Sequence, residues 1–143
     1  MDTGVLMYAA GAEHPLRAPC IAVLELVESN RLEATTSAEV IQEIFHRFAR
    51  TPGVAGGVEL AHAALDLFSP VLSVTHDVVR RMPGLVESYP THSARDLVHV
   101  ATCIEYGAAA IVSPDTDFDS IDEVHRVAPG DGAALERHLR RPH

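Results

Sequence analysis

Residues 108–118 read Ala108-Ala109-Ala110-Ile111-Val112-Ser113-Pro114-Asp115-Thr116-Asp117-Phe118. The almost purely apolar run Ala108–Ser113 predicts a central strand buried on both faces. The acids directly behind it stand where open α/β sheets collect ligands, outside the carboxyl ends of the strands. Upstream, Ser93-Ala94-Arg95-Asp96 is a capping box that opens a helix through about Tyr106, stopped by Gly107. Downstream, the acidic segment Asp115–Glu123 leads to a last strand near Val124–Ala128 and a helix near Ala133–Arg141.

The same alternation of strand-length apolar runs with amphipathic segments extends to the amino end, the pattern of an α/β domain with a largely parallel sheet. A helix near Val5–Ala10, a turn at Gly11–Pro15 and a helix near Leu16–Glu28 precede a strand near Leu32–Thr35. Thr36-Ser37-Ala38-Glu39 is a second capping box, opening a helix to about Arg50 with Val40, Ile41, Ile44, Phe45 and Phe48 as its core stripe. Thr51-Pro52-Gly53 stops it, and Val54–Phe68 is another helix, with Leu60, Ala64, Leu65 and Phe68 on one side. Val71–Val74 is a further strand candidate. Thr75 then caps a helix that Pro83-Gly84 should end or kink.

Composition removes whole classes of chemistry. At 143 residues and 47% hydrophobic the chain is the size of one domain, read as 1–143. No segment approaches the ~20 apolar residues of a membrane span, and the start lacks a secretory signal, so a cytoplasmic protein is expected. Cys20 and Cys103 show no C-x-x-C spacing, which leaves two ordinary thiols. All eleven basic residues are Arg, and without Lys there is no Walker-type phosphate loop, Schiff base or phosphotransfer site. A formal charge of −9 argues against broad electrostatic attraction to nucleic acid, so any such partner must be held locally. The nine His residues lack zinc-site spacings, and no G-x-S-x-G or G-x-G-x-x-G occurs.

Carboxylate chemistry remains, at Asp2, Glu43, Asp96, Asp115 and Asp117. Acids gathered in one cleft repel each other unless a hard cation such as Mg²⁺ sits among them. Each has a bland alternative. Glu43 lies off the core stripe of its helix, where a solvated acid paired with Arg47 is the commoner arrangement. Asp96 satisfies a helix start. Asp115-Thr116-Asp117-Phe118-Asp119 lacks the Gly and the Glu of a calcium loop, with Ser120 and Arg126 at those places. Asp119, Asp122 and Glu123 read as a solvated acidic turn. His99, three residues after Asp96, shares its helix face and reads as a packed or hydrogen-bonded structural His.

Taken in order, four segments resemble the motifs of the PIN-domain nucleases, and of VapC-type toxins among them. These are Asp2-Thr3-Gly4-Val5-Leu6-Met7-Tyr8, Thr36-Ser37-Ala38-Glu39-Val40-Ile41-Gln42-Glu43-Ile44, Arg95-Asp96-Leu97-Val98-His99-Val100-Ala101 and Ile111-Val112-Ser113-Pro114-Asp115-Thr116-Asp117-Phe118. The resemblance implies a three-layer α/β/α sandwich with a mostly parallel sheet. It implies one or two Mg²⁺ or Mn²⁺ ions on Asp2, Glu43, Asp96 and Asp115, with Asp117 as a fifth acid. It implies endonucleolytic cleavage of a structured tRNA or rRNA site, silencing by a cognate VapB-type antitoxin, and a homodimer. Arg47, Arg50 and Arg95 are candidate rim contacts for RNA. The alternatives are an inactive binding module of the same fold and a DNA-directed flap-type nuclease.

Two departures from the pattern stand out. Only Met1 precedes Asp2, so the first strand should be nearly absent, or the true start upstream, and Asp2 poorly anchored. Gly4 replaces the usual Asn, which should loosen the surroundings of the first acid.

Overall fold

A computed structural model describes residues 1–49 and 53–139. Its helices are α1 (Thr3–Ala10), α2 (Arg17–Glu28), α3 (Ala38–Phe48), α4 (Val54–Leu67), α5 (His76–Arg80), α6 (Met82–Ser88), α7 (Ala94–Glu105) and α8 (Gly132–Glu136). The strands are β1 (Ala110–Val112) and β2 (His125–Val127), with a 3-10 turn at Thr116–Ser120 between them.

β1 and β2 pair in parallel, Ala110 with His125 and Val112 with Val127. The sheet is smaller than the apolar runs predict, yet its hydrogen bonds continue beyond the named strands. Ser113 N–H donates to the Val127 carbonyl at 3.1 Å, and Asp2 N–H donates to the Val112 carbonyl at 3.0 Å. Met1 N donates to the Thr35 carbonyl at 2.7 Å, while the Thr36 hydroxyl donates to the Met1 carbonyl at 2.8 Å. Leu72 completes the series by exchanging 2.8 Å bonds with Thr36 and Ala38. The segments at 32–35 and 71–74 thus contribute single pairings, Leu32 with Leu139 and Ser37 with Leu72, rather than the full strands expected.

β1 alternates its side chains between two apolar layers, as a pleated strand must. Ala110 and Val112 pack with Leu6, Val23, Val40, Ile44, Ala61, Ala64, Phe68 and Val127. Ile111 faces the other way, among Val78, Leu85, Leu97, Val100, Phe118 and Ile121. Helices α1 to α4 supply the first layer and α5 to α7 the second, which is the α/β/α order.

Local expectations fail where side chains found other partners. Ser37, not Thr36, is the N-cap of α3, because the Thr36 hydroxyl is spent on Met1. Phe45 leaves the stripe and is 43% exposed, and Leu65 likewise faces outward. The break expected at Pro83-Gly84 falls at Arg81, where α5 gives way to α6, and Pro83 lies in the first turn of α6, where its missing N–H costs no bond. The helix expected to reach Arg141 ends at Glu136, with Leu139 turned into its pairing with Leu32. Gly107 ends α7 with φ +67°, a conformation that favours glycine. The expected break at Thr51-Pro52, the rim candidate Arg50 and the tail beyond Leu139 lie outside the described residues.

Candidate metal centre

Four elements meet at the carboxyl end of the sheet. Asp2 is the N-cap of α1, Glu43 lies mid-way along α3, Asp96 and His99 stand one turn apart at the start of α7, and Asp115 and Asp117 follow β1. Their ligand atoms fall into two compact groups, Asp2 with Glu43 and His99, and Asp96 with Asp115 and Asp117.

The first group is buried. Glu43 is 5% exposed, against the solvated-face expectation, because the starts of α1 and α7 close over that side of α3. Each of its oxygens is claimed. The Thr3 hydroxyl donates to Oε2 at 2.6 Å and His99 Nε2 lies 3.3 Å from the same atom. Arg47 donates to Oε1 from Nη2 at 2.9 Å and from Nε at 3.3 Å, and Arg95 Nη1 reaches it at 3.5 Å. Burial by itself would raise the Glu43 pKa; the bonds from His99, Thr3 and Arg47 together outweigh it and hold the carboxyl well below the ordinary range. His99 Nε2 also lies 3.8 Å from Asp2 Oδ1, so the structural His of the sequence reading sits between the two buried acids. Since a carboxylate only accepts, Nε2 carries the proton of that bond.

Asp2 is not loosely held. Its N–H is fixed on Val112, and its Oδ2 accepts from the Ser113 hydroxyl at 2.6 Å. The same Ser113 oxygen accepts from Asp115 N–H at 3.0 Å, so one buried hydroxyl joins the two groups.

The second group is open. Asp96 and Asp115 are half-buried and Asp117 exposed. Ser93 caps α7 by accepting from Asp96 N–H at 3.1 Å, and its hydroxyl donates to Asp96 Oδ2 at 2.6 Å. Asp115 Oδ1 accepts from Asp117 N–H at 2.9 Å, which folds the acidic turn back on itself. Burial raises the Asp96 pKa, and the charges of Asp115 and Asp2 raise it further against the opposing Ser93 bond and His99. Among the described residues no Arg or His makes an ion pair with any of these three acids. A cation among them would therefore relieve like-charge repulsion. The donor set of carboxylate oxygens with no thiolate fits a hard divalent ion.

Sequence reasoning passed over two supports. Asp119 is exposed, as expected of the acidic turn, but not unpartnered: Arg126 grips it from Nε at 2.7 Å and Nη2 at 3.1 Å while Nη1 donates to the Ser113 carbonyl at 3.0 Å. Glu123 accepts from the Tyr89 hydroxyl. No spacing in the sequence signals either, since Arg126 lies beyond the turn on β2 and Tyr89 comes from another element. The importance of Ser113 and Thr3 is likewise invisible until Asp2 and Glu43 are seen beside them.

The PIN domain family profile matches residues 1–124. The chain is similar to Ribonuclease VapC7 of Mycobacterium tuberculosis, 38% identical over 133 residues that cover 90% of each protein. It is also similar to Ribonuclease VapC13 of Mycobacterium tuberculosis, 30% identical across 90% of this chain and 98% of the relative. The crystal structure of VapBC2 from Rickettsia felis bound to a DNA fragment from their promoter superposes with a TM-score of 0.69. That match covers 88% of this chain and 94% of the other at 16% identity, a likeness of fold. With the motifs, the layered fold and the acid groups agreeing, the chain belongs to the PIN domain family.

Proposed function

We propose that the chain is a divalent-metal-dependent endoribonuclease, the toxin of a toxin–antitoxin pair, which cleaves a structured tRNA or rRNA site. The observation that carries this reading is the convergence of five carboxylates from four separate elements into two groups joined by the Ser113 hydroxyl. The relatives named as VapC ribonucleases supply the choice of RNA over DNA.

In this reading Asp2, Glu43, Asp96 and Asp115 hold Mg²⁺ or Mn²⁺, with Asp117 as a fifth acid. Held by these acids, a divalent ion would supply positive charge at the scissile phosphate and make a nearby water more acidic. The protein's own groups do the rest. His99 and Thr3 fix the Glu43 carboxylate so that it presents one orientation. Arg47 and Arg95, each about half exposed, stand at the mouth beside Glu43, where a polynucleotide phosphate would meet them. The local positive charge of the ion and these guanidiniums answers the net charge of −9. The partner is a VapB-type antitoxin, a reading supported by the VapBC2 likeness; a homodimer acting in the cytoplasm completes it. No helix among the described residues is long and apolar enough to cross a membrane.

The pairing of Glu43 with two arginines favours one second reading, a binding module whose acidic pocket receives an Arg from a partner. Purified protein incubated with RNA and with DNA, with Mg²⁺ and then with EDTA, separates the two. RNA cleavage that EDTA abolishes, and that Asp2→Ala, Glu43→Ala and Asp96→Ala each remove while the variants stay folded, is the expected result. A folded wild-type protein that cuts neither polymer with Mg²⁺ overturns the nuclease reading.

A further inference from the structure

Gly4 lies in the first turn of α1, two residues after Asp2. A Cβ added there would stand 2.8 Å from Pro114 Cγ, 3.1 Å from Pro114 Cδ and 3.3 Å from Asp2 Oδ2. The first distance is closer than real side chains tolerate, and a proline ring cannot swing aside as the tip of a flexible chain would. The Pro114 ring therefore occupies the space that any other residue at position 4 would fill.

Pro114 stands between two residues of the site. Its ring fixes its own φ near −65° and biases Ser113 towards extended backbone. Extended Ser113 continues the ladder through its N–H to Val127 and aims its hydroxyl at Asp2 Oδ2, where it also receives Asp115 N–H. On the far side of the turn, Arg126 ties the Ser113 carbonyl to Asp119. On the near side the contact is Pro114 on Gly4.

We infer that Gly4 and Pro114 form a matched pair that seats the Ser113–Asp117 turn against α1 and so sets the two acid groups at their working separation. The inference rests on the metal-dependent reading above. It reverses the expectation drawn from Gly4, since the absent side chain makes room for the ring that holds the turn in place. Both are positioning residues: neither is a ligand, and both act through Ser113, Asp2 and Asp115.

The test is a double-mutant cycle on the full chain with Gly4→Ala, Pro114→Ala and the double variant. The readouts are Mn²⁺ affinity by calorimetry, the thermal midpoint in EDTA, and kcat and KM on a cleaved RNA. Gly4→Ala is expected to weaken Mn²⁺ binding about 10–100-fold, the range for losing the support of a ligand, and to lower kcat more than it raises KM. In the Pro114→Ala background the same Gly4→Ala change is expected to cost less than about threefold, because the ring it strikes is gone. Wild-type Mn²⁺ affinity in Gly4→Ala, or an undiminished loss in the double variant, overturns the pairing alone. A wild-type chain that takes up no Mn²⁺ overturns the pairing together with the metal-dependent reading. Should Gly4→Ala fail to fold, the double variant must fold and bind Mn²⁺; its failure as well overturns the pairing.

Discussion

The two acid groups sit side by side and share helix α7, yet the protein treats them in opposite ways. Around Glu43 each oxygen is met by a donor, and three cationic or potentially cationic side chains, Arg47, Arg95 and His99, converge on one carboxylate. Around Asp96, Asp115 and Asp117 the donors are hydroxyls and backbone N–H groups, with no ion pair among the described residues. One group is electrostatically complete and belongs to the folded framework. The other lacks the counter-charge that a bound cation would supply. In the proposed metal site the contrast divides the labour: the inner acids offer ligands already fixed in orientation, and the outer acids supply unneutralised charge.

The sharpest way to break this contrast is Asp96→Asn. Burial, with repulsion from Asp115 and Asp2 added to it, raises the Asp96 pKa, so its ionisation costs stability as pH rises through the folded value. The amide removes that cost. The EDTA-treated variant is therefore expected to melt above wild type at pH 7, while RNA cleavage falls about 10³-fold, the order expected when several kcal/mol of transition-state stabilisation is lost. A variant that melts lower and keeps its activity would show the outer group to be structural.

Glu43→Ala should behave in the opposite sense. It strands the buried Thr3 hydroxyl and the His99 imidazole, each an unsatisfied polar group costing about 1–3 kcal/mol. The metal-free protein should lose about 2–4 kcal/mol in urea unfolding. An unchanged midpoint would place Glu43 with the outer acids.

Ser113→Ala tests the join between the groups. Losing one fully buried hydroxyl is expected to cost about 1–2 kcal/mol, with weaker Mn²⁺ binding at intact RNA affinity. Equal losses in both binding measurements would mean that the hydroxyl holds the turn in general rather than the site.

The smallest effect concerns pH. The folded-state pKa of Glu43 is depressed, so its stabilisation is complete above the unfolded value of 4.5 and drains away as pH falls below it. In EDTA, wild type should lose stability faster than Glu43→Gln between about pH 4.5 and the acid limit of folding. Parallel curves would remove the electrostatic account of the inner group.

Much of this contrast can be read from residues alone, and the rest cannot for identifiable reasons. The run Ala108–Ser113 and the cap at Ser93 announce β1 and α7 because strand burial and helix capping are local properties. Resemblance, rather than periodicity, singled out Glu43: on a helix wheel it looks solvated, and only the closure of α1 and α7 over α3 buries it. The strands at 32–35 and 71–74 were overdrawn because apolar content shows that a segment is buried, while pairing depends on what lies beside it. The grip of Arg126 on Asp119 was invisible for the same reason. Gly4 reads as a defect until Pro114, 110 positions away in sequence, is found above it.

Helix α7 contributes one residue to each group, Asp96 to the outer and His99 to the inner. Three residues of α-helix advance about 4.5 Å, nearly one turn, so the offset between the inner and the outer acids is graduated by a hydrogen-bonded rod and not by a pliable loop. An alanine inserted between them would turn Asp96 through about 100° and swing it out of register with Asp115. A deletion of one full turn farther along α7 would leave that offset untouched.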